Sequence, residues 1–189
     1  MSLGEMSQGK LRILKAVSEI LEDPSAKITI NKIARGVNVT EAAIYRHYKS
    51  KEEIFLSLIG YMENNFLGPL NHVQQETQDT EKRLEKIYYS YIDFLEGHPG
   101  LSRLFLGHGA TEASGIAERI QILHGKIRAQ LAQMIRFGQA QGVVQKETSP
   151  EQGSEVFYGM VVAAAMAQAY KFPQIETDAR WQILRQSIL

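Results

Sequence analysis

Between Val39 and Phe55 the chain reads VTEAAIYRHYKSKEEIF. Tyr45, Arg46, His47, Tyr48, Lys49 and Lys51 crowd into this short stretch. Such side chains make poor core material but good donors to anions. A lysine ammonium is a point charge, whereas the arginine fork fits a phosphate or the O6/N7 acceptor pair of a guanine. Charge is also concentrated here. From Lys27 to Lys51 there are six cations and one acid, Glu41, a balance of +5; the whole chain has 21 cations and 21 acids, so the remainder carries −5. A basic patch on a neutral protein points to a polyanion bound at one place. A solvated helix face is the plainer meaning of such a run.

Other chemistry finds no constellation. His47, His72, His98, His108 and His124 include no pair four residues apart on one helix, so a helical zinc motif is excluded. His98 and His108 flank a short helix and could meet His124 in space; a capping or partnered histidine is the expected reading of each. No serine sits in a nucleophile elbow, and Gly107-His108-Gly109 reads as a helix end rather than a phosphate loop. With no Cys there is no disulfide framework and no thiolate metal site. No catalytic residue, metal or cofactor is expected, and the protein is read as a non-enzyme.

The elements that must position the basic cluster read as helices throughout, with no sustained period-two alternation. A first helix over 8–21 places Leu14, Val17 and Leu21 on one stripe. Thr29 caps a short helix ending near Gly36, and Thr40 caps another reaching His47. Ile33, Ala34, Val37, Val39 and Ile44 form the core of this unit, which Tyr48 can join. Ser50 and Glu53 make a capping box, with Glu53 expected on the Ser50 amide. The helix they open carries Phe55, Ile59, Met62 and Phe66, and is expected to end near Gly68-Pro69 or to bend there and run one more turn. Further helices are expected from about Asp79 to Gly97, over 101–106, from about Glu112 to Gly138, from Ser149-Pro150 to Tyr170, and over 177–189. The longest small-apolar run, 159–169, is far short of the roughly 20 residues of a membrane span. With a polar N-terminus that lacks a signal-peptide run, a cytoplasmic protein with no membrane partner is expected.

Helix, short turn and helix between Thr29 and His47 is helix-turn-helix geometry, in which the second helix enters the major groove. The open helix starts at Thr29 and Thr40 present free amides that suit phosphate. The run ITINKIARGVNVTEAAIYRHYKSKEEIFLSLI resembles the DNA-binding domain of the TetR family of bacterial regulators, with Tyr45, Tyr48 and Lys51 at that family's aromatic and lysine positions. The resemblance implies that Thr40, Tyr45, His47 and Lys51 hold phosphates of double-stranded DNA, while Glu41, Ala42, Ala43 and Arg46 face or approach bases. Where the family has Gly in the turn, this chain has Asn38, the next-best residue for a left-handed conformation.

An all-α protein in two parts is expected: a three-helix DNA-binding domain over 1–50 and a helical dimerisation and regulatory domain over 51–189. Val156, Met160, Ala163, Ala167 and Tyr170 form a heptad-like stripe in an Ala-rich helix, a pattern that suits a bundle seam. The resemblance implies that this stripe is a homodimer interface shared with the last helix. HPGLSRLFLGHG, RIQILHGKIRAQLAQMIR and DARWQIL resemble the nucleoid-occlusion branch of the same family, whose members bind DNA and the cell-division protein FtsZ. Two outputs therefore stand side by side. One is a transcriptional repressor on the nucleoid, released by a small-molecule effector; the other is a division regulator with FtsZ as partner. Tyr88, Tyr89, Tyr91, Tyr158 and Tyr170 either line an effector pocket or close a core.

Overall fold

The computed structural model describes residues 7–109 and 114–189. The described residues form helices α1 (Gln8–Leu21), α2 (Ile30–Gly36), α3 (Glu41–His47), α4 (Lys51–Glu76), α5 (Thr80–Gly97), α6 (Pro99–Phe105), α7 (Ser114–Gln141), α8 (Pro150–Tyr170) and α9 (Thr177–Ile188), and no strand. The expected Glu112 start of the seventh helix lies outside the described residues. No helix among the described residues is long and apolar enough to cross a membrane.

Polar caps set most of the helix starts. Thr29 accepts from the Lys32 amide, Thr40 from Ala43, Ser50 from Glu53, Asp79 from Lys82 and Ser149 from Gln152. Each bond satisfies one of the amides a helix start leaves without an internal partner. The Ser149–Gln152 box is reciprocal. Glu53 differs from expectation, because its carboxylate takes the Lys49 amide at 2.6 Å. The largest correction concerns α4, which continues through Pro69 to Glu76. An internal proline costs a helix about 3 kcal/mol. Phe66, Leu70 and Val73 are all buried around it, and packing of that stripe offsets the cost.

α1 packs against α2, α3, α4 and α6, so the helix-turn-helix unit joins directly onto the rest of the bundle. α7 and α8 pair along their length, with α5 and α6 against α8 and α9 closing one side. The buried side chains form one continuous cluster from Ile13 to Ile188. The tyrosines close this core. Tyr88 and Tyr91 are fully buried, and Tyr158 nearly so. Tyr88 lies 5.6 Å from the Trp181 ring and 6.0 Å from Phe157. The Tyr91 hydroxyl donates to the Phe66 carbonyl at 2.7 Å. Tyr89 and Tyr170 sit farther out, with hydroxyls on Asp178 and His108.

His98, His108 and His124 do not meet. His98 lies on Tyr61 and the Phe94 carbonyl, and His108 on Tyr170. His124 joins three helices: its Nε2 lies 2.9 Å from the Phe105 carbonyl on α6, and its Nδ1 faces the Tyr158 hydroxyl on α8. A carbonyl only accepts, so Nε2 carries the proton and Nδ1 accepts from Tyr158. This pairing suits the neutral ring. Burial pushes its pKa below the usual 6.5, and the Arg128 cation, itself paired with Glu155 at 2.9 Å, adds to that; the Phe105 bond works the other way. The unfolded chain therefore takes a proton first as pH falls through about 6.5. Stability is expected to decline from pH 7 towards pH 5 by at most about 1.4 kcal/mol per pH unit for this group. His108, pushed down by burial and by Arg103, acts in the same direction. Urea unfolding of His124→Gln across that range should show a shallower pH slope than the parent. An equal slope would assign the dependence to other groups.

Candidate nucleic-acid interface

α3 has seven residues, and its faces follow from the helical period. Ile44 points inward and is 0% exposed, as does the Tyr48 ring that follows the helix, at 1%. At 100° per residue, Ala42 and Arg46 then fall opposite Ile44, and Tyr45 to one side, while Glu41 lies only 60° from Ile44, in the first turn of the helix. All four are exposed, and Ala43 and His47 flank them half-buried. Of the expected base-facing and phosphate-facing residues of this helix, Ala42, Tyr45 and Arg46 thus share one exposed surface.

The turn before α3 is tightly bonded. Asn38 has φ of 56°, the left-handed region. The Val39 amide donates to the Ala34 carbonyl at 2.9 Å and Asn38 to Arg35 at 3.1 Å. Arg12 of α1 reaches across to the Val37 carbonyl at 3.0 Å, a contact with no cue in the sequence pattern. Val37 is buried, but Val39 is 41% exposed, against the expectation that it is core. It follows the left-handed residue and precedes the cap, so the chain reverses there and leaves its side chain outside.

Glu41 and His47 have local partners. Glu41 accepts from the Asn31 amide group at 2.7 Å, which ties the start of α3 to α2. The His47 ring lies over Gly9 of α1, where a Cβ would come within 2.5 Å of Cε1 and Nε2. The absence of a side chain at Gly9 therefore gives His47 its seat at the edge of the surface. Thr29 and Thr40 are exposed at the starts of α2 and α3, their hydroxyls occupied by capping. Lys51 is the first residue of α4, half-buried beside the helix-turn-helix unit.

The residues expected at a dimer seam divide. Val156 and Tyr170 are 40% and 45% exposed, Ala163 is exposed and Met160 is half-buried. Ala167 instead lies at 9% exposure within the chain's own packing, and the neighbouring Met166 is 42% exposed. The free apolar face of α8 therefore runs Val156, Gly159, Ala163, Met166 and Tyr170. α8 is apolar nearly all round, so periodicity alone could not fix which stripe faces out.

Residues 13–58 match the family described as bacterial regulatory proteins, tetR family. The chain is 33% identical over 179 residues to the nucleoid occlusion factor SlmA of Yersinia enterocolitica, covering 91% of this chain and 90% of that one. Among solved structures, the fatty acid degradation regulator FadR from Bacillus halodurans superposes with a TM-score of 0.78 at 17% identity, over 96% of this chain and 95% of that one. AibR, solved in complex with isovaleryl coenzyme A and operator DNA, gives a TM-score of 0.74 at 17% identity, over 95% and 97% of the two chains. Helix-turn-helix geometry, the matched segment and the near full-length relatives agree: the chain belongs to the tetR family of bacterial DNA-binding regulators.

Proposed function

We propose that the protein is a homodimeric repressor that binds operator DNA through α3 and works on the nucleoid in the cytoplasm. The observation that carries this reading is the outer arc of α3. Ala42, Tyr45 and Arg46 stand exposed together on an anchored helix, with Glu41 exposed in its first turn. Thr29, Thr40, Tyr45, His47 and Lys51 hold the backbone. Ala42 and Ala43 admit the helix close to the bases, and Glu41 and Arg46 read them. The open face of α8 brings two copies together, so that two such helices meet successive half-sites.

Salt dependence tests the division of labour. Each neutralised phosphate contributes about −0.9 to the slope of log affinity against log salt. Lys51→Ala should weaken all sites alike and flatten that slope by roughly one unit. Arg46→Ala should cost about 1–3 kcal/mol, mainly at the cognate base. Equal loss on cognate and random DNA would make Arg46 a phosphate clamp and remove its base-reading role.

A second reading is favoured by the near full-length likeness to nucleoid occlusion factors and by the filled aromatic core. Tyr88, Tyr91 and Tyr158 pack against one another's neighbours instead of lining a central effector chamber. In this reading the second domain presents an outer surface to FtsZ while DNA is bound. Purified protein mixed with FtsZ, with and without operator-like DNA, separates the two. DNA-enhanced binding would establish the division role. No binding in either condition, with DNA release by a small molecule, would leave the repressor.

A further inference from the structure

Glu41 opens α3 and is the one acid in the basic stretch from Lys27 to Lys51, which holds six cations. Among the described residues none of those cations forms an ion pair with it. Its partner is neutral. Asn31, in the first turn of α2, donates from its amide nitrogen to Glu41 Oε1 at 2.7 Å. Both residues are exposed, so the bond lies on the surface and closes no core. The start of α2 does not need Asn31 as a cap, because Thr29 already accepts from the Lys32 amide at 3.1 Å.

The chemistry of this pair is directional. A carboxylate only accepts, so the end of Asn31 that faces it is the amino end. An amide fixes a carboxylate without cancelling its charge, as a lysine or arginine would cancel it. A carboxylate beside DNA repels phosphate, so phosphate contact gives no reason to hold one there. In the major groove its match is an exocyclic amine, above all N4 of cytosine. Position agrees with that use, because the first turn of a recognition helix is where side chains reach base edges. A glutamate at a helix start also has its own helix's free amides within reach. The Asn31 bond takes Oε1 elsewhere, towards α2.

We propose that Asn31 is a positioning residue for base recognition: it holds the Glu41 carboxylate so that Oε2 meets the amino group of one cytosine. This rests on the reading of α3 as the helix in the major groove. Asn31 itself touches no base in this arrangement. A side chain that is already ordered binds at less entropic cost than one fixed on contact, a gain of about two- to tenfold in affinity. The gain is realised only where the amine is present. It therefore shows as preference at one base pair and not as general affinity.

Selection from a pool of random-sequence duplexes with the purified full chain defines the preferred site. Competition with single-base variants of that site then gives the preference at each position. Glu41→Ala should lose about tenfold in preference at one C·G pair. Asn31→Ala should lose about threefold at the same pair and leave the other positions, including any guanine read by Arg46, unchanged. Asn31→Ala added to Glu41→Ala should change nothing further, since Asn31 acts only through the carboxylate. Asn31→Asp has the same size but no amino group to donate. It should shift the preference at least as far, and serves as the test if Asn31→Ala fails to fold. A purely structural tie between α2 and α3 would lower affinity for every sequence alike and leave all preferences intact; that result would overturn the proposal. A shift in Glu41→Ala with none in either Asn31 variant would overturn it as well. A parent protein that selects no sequence at all would instead sink the reading of α3 as the recognition helix, and the proposal with it.

Discussion

Gly100→Ala is expected to destabilise the protein by about 3 kcal/mol and to weaken DNA binding along with it. Gly100 sits in the first turn of α6, where that helix meets α1. A Cβ there would lie 1.9 Å from the Ser18 carbonyl oxygen, 2.8 Å from its carbon and 3.2 Å from the Leu21 Cβ. Two of those atoms are backbone and cannot rotate away. α6 must therefore lift off α1, and the contact between the DNA-binding unit and the rest of the bundle opens with it. Gly97, three residues earlier at the end of α5, is the internal control. A Cβ at that position meets nothing within 4 Å. Gly97→Ala should be neutral or stabilise by up to about 1 kcal/mol through the lower entropy of the unfolded chain. Urea unfolding of the two variants reads the contrast. Equal stability in both would mean that α1 and α6 are not in close contact.

Much of the candidate site is legible in the sequence because its signals are local. Thr29, Thr40, Ser50, Asp79 and Ser149 are caps, and a cap needs only its own helix start. Ile44 and Tyr48 fall inward because 3.6 residues make a turn, which sends Tyr45 and Arg46 outward whatever lies beneath. Asn38 in the turn declares its left-handed backbone by type. What stayed hidden is tertiary. Pro69 reads as a helix end, because nothing nearby says that Phe66, Leu70 and Val73 will be packed well enough to carry the helix past it. Gly100 follows a proline and reads as a breaker, while its role is to let two backbones touch. The bond from Arg12 to the Val37 carbonyl spans 25 positions. Arg103 looks like any helical arginine until its burial is known.

On α8 the expected stripe and the exposed apolar face differ by one residue, and the dimer seam proposed there leads to the second large expected effect. Ala163 lies in the middle of the free face, between Gly159 and Met166, with Val156 and Tyr170 towards its ends. A Cβ at Gly159 meets nothing within 4 Å, so the centre of the stripe is open to a close helix. Ile183 of α9, a helix that packs on α8, is 47% exposed. Ala163→Arg would place a long cation at the point of nearest approach. Desolvating an unpaired charge costs several kcal/mol, so dimerisation should weaken by at least about 100-fold, and monomers should dominate in sedimentation at micromolar concentration. Operator affinity should fall as well, because two half-sites are no longer held by one particle. The monomer should keep its helical signal, since Ala163 does not serve the chain's own core. Ala167→Arg gives the opposite pattern. That position is buried within the subunit, so its charge should unfold the chain before it separates the pair. If Ala163→Arg sediments as an unchanged dimer, the two copies meet through some other surface.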